Sequence, residues 1–282
     1  MEPWWLTHAS GVYKTLLVAA FLGAALWETC RPRQVLALPT EKRWLLHGFF
    51  LILASLTTTL VFRASAVVVA ASVGNSPLGL LNRGSIPFAL RAVLSFLLLD
   101  LVQYVDHYLR HSIPLLWRFH KVHHSDSEVD FSTGLRFHPG EIVFTQGAYL
   151  LAIAAAAPPA AVVLCFEVCN AAQSFFSHAN INLPPRLERA LRLIQVTPRL
   201  HEIHHSRHGA DQRCNFAVMF SFWDRLFRTY RERSNSGREP LALGVDDVTA
   251  AESVRPWAML TLPFWKEPTR AATCLPAAQP PQ

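Results

Sequence analysis

The chain has 282 residues, of which 51% are hydrophobic and 16% charged, against ~25% charged in a typical soluble domain. Twenty-six Lys and Arg oppose 20 Asp and Glu, a net charge of +6 with histidine neutral. These values exclude a disordered chain and argue against an ordinary soluble enzyme. In so apolar a chain a basic excess marks the cytoplasmic side of a membrane protein more often than a nucleic-acid surface, so no nucleic-acid partner is expected. The five cysteines, at 30, 165, 169, 214 and 274, form no CxxC and are odd in number. Neither a disulfide framework nor a thiolate zinc site is supported. The N-terminus has no basic n-region and no A-x-A site, so no cleaved signal peptide is expected.

The first apolar segment covers residues 11–27, with Lys14 as its charge and Trp4 and Trp5 as interface anchors. A basic link follows, carrying Arg31, Arg33, Lys42 and Arg43. Residues 44–62 contain no Asp, Glu, Lys or Arg, close to the ~20 residues needed to cross a bilayer. Residues 63–87 are mixed, an apolar patch and then a Gly, Asn, Ser and Pro-rich loop. The third apolar segment, 88–105, carries Arg91 and Asp100. Residues 106–141 are polar and histidine-rich. The next apolar run, 142–176, is too long for one crossing and holds Pro158-Pro159 near its middle. Proline pairs break helices, so this run reads as a helical hairpin that returns to the side it entered from. Residues 177–232 are again polar and histidine-rich, and the remaining tail is rich in Pro, Ala and charge.

The expected fold is an all-α integral membrane protein. About four transmembrane helices, two crossings plus a third and a hairpin, carry a histidine-rich metal-binding cap. Residues 1–99 form the N-terminal membrane part, 100–232 the catalytic domain including the hairpin 142–176, and 233–282 a C-terminal tail. Four basic residues in the 31–43 link against Arg63 and Arg83 in the next loop place that link, and with it the cap, in the cytoplasm. The host membrane is expected to be a bacterial inner membrane or the endoplasmic reticulum.

The histidine spacing carries the chemistry. His107 and His111 are i,i+4 neighbours on one helix face. His120, His123 and His124 read HxxHH, and His201, His204 and His205 read HxxHH again. Thirteen histidines in 282 residues do not supply two such copies by chance. Neutral imidazole suits iron, zinc, copper and nickel. In HxxHH the first histidine shares a helix face with both later ones, while the adjacent pair diverges by ~100°. One helical turn can therefore serve two metals. Eight imidazoles are too many for one ion, and a dinuclear centre is the economical reading. His178 follows the hairpin at the depth of the clusters and joins them as a ligand. His138, Asp100, Glu141 and Asp211 are candidate ligands or partners that orient ligand imidazoles. Beyond the metal ligands, no catalytic residue is singled out.

A rival motif overlaps the last cluster. His201-Glu202-Ile203-His204-His205 satisfies HExxH, with His201 and His205 as zinc ligands and Glu202 as general base of a metalloprotease. Its twin has Lys121 in place of the glutamate, and HExxH leaves six clustered histidines unexplained. A membrane metal transporter is the non-enzyme alternative. It would place ionisable groups inside its spans, whereas these histidines lie at the ends of apolar runs.

The segment 100–230 resembles the fatty acid hydroxylase / sterol desaturase superfamily of membrane di-iron oxygenases. The resemblance rests on Asp100 with Tyr104, His107 with His111, LWRFHKVHHS at 116–125 and LRFHPGE at 135–141. SFFSHANI at 174–181, TPRLHEIHHS at 197–206 and WDRLFRTY at 223–230 complete the order. It implies a four-helix stem under a cytosolic cap, two irons, O2, and hydroxylation or desaturation of a lipid or sterol-like substrate. Zinc is expected to substitute in isolated protein. Electrons are expected from an external cytochrome b5- or ferredoxin-like donor with its reductase, because no segment here reads as a redox domain. By position His107, His111, His120, His123, His124, His178, His201, His204 and His205 correspond to the metal-binding histidines. Departures are Tyr108 for a common Arg, the longer stretch 211–216, Ala217 for a Gly, and Arg228 for the Gly of LFGTY.

Reporters fused after residues 38 and 235 should both be cytoplasmic, and one near residue 80 should lie across the membrane. Residues 38 and 235 on opposite faces would contradict the hairpin.

Overall fold

The structure, a computed structural model, describes residues 4–84, 86–237 and 240–266. Among these there are helices and isolated bridges but no strand. In chain order the helices are α1 (Trp4–Thr7), α2 (Ala9–Cys30), α3 (Thr40–Thr57), α4 (Ala66–Val73), α5 (Phe88–Ser112), α6 (Pro114–His124) and α7 (Pro139–Ala156). The series continues with α8 (Ala160–His178), α9 (Pro185–Leu191), α10 (Pro198–His204), α11 (Phe222–Leu226), α12 (Ala250–Ser253) and α13 (Pro256–Thr261). Four helical stretches are long and apolar enough to cross a membrane. They are Ala9–Cys30, Thr40–Val73, Phe88–Ser112 and Ala160–His178. Outward-facing Leu22, Leu26, Ile52, Leu60, Val93 and Leu151 are exposed, an apolar surface suited to lipid.

Several helices begin before their apolar run or run past it, each for a local reason. α3 opens at Thr40, on the polar side of its apolar run, because Pro39 cannot continue a helix backwards and Glu41 suits the first turn. Past Thr57 it widens into a π turn, Thr58–Phe62, that ends at Arg63 in the left-handed region. Ser65 then caps α4, its Oγ accepting from the Val68 N–H, so part of the mixed stretch is helical. α5 runs beyond residue 105 to Ser112, which puts His107 and His111 on the end of a membrane helix. The proline pair splits the long apolar run as expected. α7 stops at Ala156, Ala157 takes a left-handed conformation, and Pro159 starts α8. The loop before α5 packs on this turn so closely that a Cβ at Gly79 would lie 2.4 Å from the Ala157 methyl.

Among the cores that hold the rods together, two stand at different levels. Below, Ala66, Val67 and Ala70 pack with Leu99, Ile153, Val163 and Phe166. Above, Leu46 and Phe50 of α3 pack with Trp117 and Val122 of α6 and with Val245, Val248, Met259 and Leu262. The part of the tail up to residue 266 is therefore folded onto the cap. Residues 267–282, with Cys274, lie outside the described residues.

The cap is fastened to the stem by buried charge. Arg43 of α3 donates to Asp130 at 2.6 Å, to Asp126 at 3.2 Å, and to the Glu128 carbonyl. Both guanidinium and carboxylates are fully buried. The Arg136 Nε donates to the Val122 carbonyl at 2.8 Å, tying the same segment to α6. Breaking one side of such a pair costs ~3–5 kcal/mol because the remaining charges stay buried. Arg43→Met should lower the thermal unfolding midpoint of the detergent-solubilised protein by several degrees. Arg207→Met, which removes a 3.8 Å pair with the exposed Asp246, should leave it nearly unchanged.

Candidate metal centre

Four chain segments deliver the histidines to one level. The last turns of α5 carry His107 and His111, α6 ends in His120, His123 and His124, α8 ends in His178, and α10 with its C-cap carries His201, His204 and His205. Proline at the first turn of α6 and of α10, and Thr197 capping α10, start both short helices in register.

The side chains sort into two groups, within each of which the candidate ligand atoms all lie within 4.8 Å of one another. One holds His107, His111, His120, His124 and His204, the other His123, His178, His201 and His205. Each HxxHH therefore splits as its helical geometry requires. In α6 the i,i+4 pair His120 and His124 serves the first group and His123 the second. In α10 the roles reverse, with His201 and His205 in the second group and His204 in the first. The groups adjoin through His124 and His205, stacked with centroids 4.4 Å apart.

The protons on these rings can be placed from their partners. His107 Nδ1 faces the Phe216 carbonyl, His204 Nδ1 the Cys214 carbonyl and His178 Nδ1 the Ser174 carbonyl, each at 2.7 Å. A carbonyl only accepts, so each Nδ1 carries the hydrogen and each Nε2 of the neutral ring is a bare lone pair. Yet His107 Nε2 and His204 Nε2 lie 3.0 Å apart. In the other group, Nε2 atoms follow one another from His123 to His178, His201 and His205 at 3.0–3.2 Å. Buried Nε2 atoms of His111, His120 and His124 have no hydrogen-bond partner among the described residues. Lone pairs so close together repel unless a cation lies between them, and these donor sets fit divalent transition metals.

Burial, and then neighbouring imidazoles, hold His123, His124, His201 and His205 well below the usual histidine range. Burial pushes His204 down to about 3. These rings are neutral at pH 7, the form a metal requires.

Glu141 is the carboxylate that reaches this centre. Its Oε1 accepts from His120 Nδ1 at 2.8 Å and from Arg110 at 2.5 Å, and Arg110 also pairs with Asp106 at 2.8 Å. The other sequence candidates are placed elsewhere. His138 caps α7, its Nδ1 accepting from the Gly140 N–H at 2.9 Å while Nε2 faces the Leu260 carbonyl. Asp100 accepts from Trp223 Nε1 at 2.8 Å and from the Phe220 N–H. Asp211 binds Arg231 and Ser234 in the turn before Cys214. None of the three belongs to either group. Glu202 has both carboxylate oxygens on the Arg33 guanidinium, a bidentate pair that ties α10 to the 31–43 link.

Sequence reasoning missed Arg110, although Asp106 four residues before it is a helical ion-pair spacing. It also missed Asp224, which accepts from the Phe216 and Ala217 N–H groups at 2.7 and 3.1 Å and so aims the carbonyl that holds His107. Arg228, which stands where LFGTY has Gly, has φ of 61°, the left-handed region that favours glycine.

A cavity of about 250 Å³ reaches the centre from the stem. It is lined by His107, His120, His123, His178 and His201 at one end and by Tyr13, Leu17, Leu51 and Ala54 at the other.

Residues 92–229, just under half of the chain, match the fatty acid hydroxylase family, so this stretch is a fatty acid hydroxylase domain. Over 144 residues the chain is 30% identical to an ornithine lipid hydroxylase OlsE of Rhizobium tropici, covering 51% of this chain and 43% of the relative. It is 30% identical to human alkylglycerol monooxygenase (48% of this chain, 29% of the relative) and 31% identical to human cholesterol 25-hydroxylase (50% and 52%). The chain thus spans about half or less of the length of these curated relatives. No solved structure matches it.

Two outcomes follow. Glu141→Ala should weaken metal affinity ~10–100-fold, read by competition with a chromogenic chelator. The depressed imidazoles give a pH dependence of metal-free stability. The unfolded chain takes up protons below ~6.5, so stability is full above that value and is lost as pH falls towards about 3, the value of His204. Thermal midpoints at pH 7.5 and 5.5 should show the fall. An unchanged midpoint would contradict the neutral assignment.

Proposed function

We propose that the protein is a membrane-bound di-iron oxygenase that hydroxylates or desaturates a lipid or sterol-like substrate, using O2 and electrons from an external donor. The observation that carries this reading is the junction of two converging imidazole groups with a cavity that descends between membrane helices. The nine clustered histidines would hold the two irons, and zinc would occupy the same nitrogens when iron is scarce, since divalent affinities do not favour Fe²⁺. With iron bound, the centre supplies the redox chemistry that side chains lack for breaking an unactivated C–H bond.

The chain's own residues have defined tasks. The Phe216, Cys214 and Ser174 carbonyls and Glu141 fix the tautomers of His107, His204, His178 and His120 and keep their Nε2 atoms aimed inward. Arg110, paired with Glu141 and Asp106, brings no uncompensated charge beside the rings. Leu17, Leu51 and Ala54 line an apolar path from the stem to the histidines, which admits a lipid chain and disfavours water. The relatives named for lipid and sterol oxidation agree with this substrate class. The cap faces the cytoplasm, where a cytochrome b5- or ferredoxin-like donor can dock.

The zinc protease reading is disfavoured by Glu202. A general base must reach a metal-bound water, but both of its oxygens bind Arg33. The second group also offers four imidazoles, where HExxH supplies two.

His123→Ala should abolish O2- and reductant-dependent oxidation of membrane lipid, seen by mass spectrometry as loss of products that carry one more oxygen or two fewer hydrogens. Glu202→Gln should retain activity, reduced at most ~10–100-fold. Peptide cleavage that needs no O2, dies with Glu202→Gln and survives His123→Ala would overturn the proposal.

A further inference from the structure

The cavity beneath the histidines does not end in an apolar wall. It shares Tyr13, Gln103, Asn170 and Ala171 with a second cavity of about 200 Å³ deeper in the stem. The second chamber is completed by α7, through Thr145, Gln146 and Tyr149, and by α8, through Phe166 and Glu167. Of its nine lining residues, only Phe166 and Ala171 lack a hydrogen-bonding side chain. Tyr149 is 6% exposed, and its hydroxyl has no partner among the described residues. The Asn170 Oδ1 has none either. Unpaired polar groups are costly in any protein interior and more so inside a membrane stem. The metal centre uses none of them, and they face a chamber large enough to take a polar group of a ligand.

Its chemistry narrows the ligand. No Lys, Arg or His lines the chamber, and a carboxylate or phosphate would meet Glu167 with no cation to offset it. A charged ammonium would have to leave water for the middle of the stem, which is expensive. A hydroxyl both donates and accepts, and it matches the phenol, amide and carboxyl groups present. Position matters as well. Asn170 and Glu167 stand eight and eleven residues before His178 on α8, a helical distance of about 12–17 Å.

Resting on the lipid-oxygenase reading, we propose that this chamber binds the hydroxyl of a long-chain or polycyclic lipid alcohol. With its hydroxyl held there, the chamber sets which carbon of the alcohol lies at the histidines, about 12–17 Å from the bound oxygen. Tyr149, Gln146 and Asn170 are its specificity-determining residues.

The test is photoaffinity labelling of the full-length protein in nanodiscs, with hexadecanol carrying a diazirine close to its hydroxyl. Labelled residues should fall within 145–149 and 167–171. Hexadecanol should displace the probe about tenfold better than hexadecane or palmitate. Tyr149→Phe and Asn170→Leu, each judged folded by unchanged zinc uptake, should each weaken that displacement roughly three- to tenfold. Equal displacement by hexadecane or palmitate would overturn the proposal, as would label confined to the outward face at Leu151. So would hexadecylamine outcompeting hexadecanol with an advantage lost in Glu167→Gln. Labelling that meets these terms in protein without oxygenase turnover upholds the chamber and counts against the oxygenase reading alone.

Discussion

The structure depends on lone pairs held together without protons. Nine imidazoles, all buried but the half-buried His111, converge in two groups, and three of them are fixed by backbone carbonyls as the tautomer with a bare Nε2. Burial keeps the cap rings neutral, so nitrogens 3.0 Å apart keep bare lone pairs that suit a cation between them. Rigid supports on every side are needed to hold such an arrangement. They are the ends of α5 and α8, the short helices α6 and α10, and the segments that present the Ser174, Cys214 and Phe216 carbonyls.

Those supports are held by charge pairs that the apolar composition conceals. Arg43 joins α3 to the segment after α6, and Arg33 joins the α2–α3 link to α10. Each pair brings one of the two HxxHH turns to the membrane stem. At Gly134 a Cβ would stand 2.7 Å from the Ser174 hydroxyl oxygen. The chain between α6 and α7 therefore lies against α8 just where the cavity meets the histidines. Stem and centre form one packed unit.

Much of this was legible from periodicity and spacing. The apolar runs marked the long helices, the proline pair marked the α7–α8 turn, and the spacing within HxxHH foretold that adjacent histidines would part into two groups. Glu141 was named from sequence, with Asp100 and Asp211, as a carboxylate that could orient a ligand imidazole, and it is the one of the three that hydrogen-bonds a clustered histidine among the described residues. What escaped reading depends on contacts between distant segments. The carbonyls that fix the tautomers leave no side-chain signature. Asp224 acts through two backbone N–H groups, and Arg110 through a carboxylate 31 residues away. His138 has a ligand's chemistry but sits where α7 needs a cap. Thr145, Gln146, Tyr149, Glu167 and Asn170 are scattered through a largely apolar hairpin, and only folding gathers them into one chamber.

The central claim is that the two imidazole groups form one dinuclear centre. Protein purified without oxygen and reconstituted with ferrous iron should hold close to two irons per chain, and Mössbauer spectra should show both in nitrogen-rich surroundings. Replacing His178 in one group and His111 in the other should each cost about one iron. A single tightly held metal, indifferent to one of these replacements, would contradict the account.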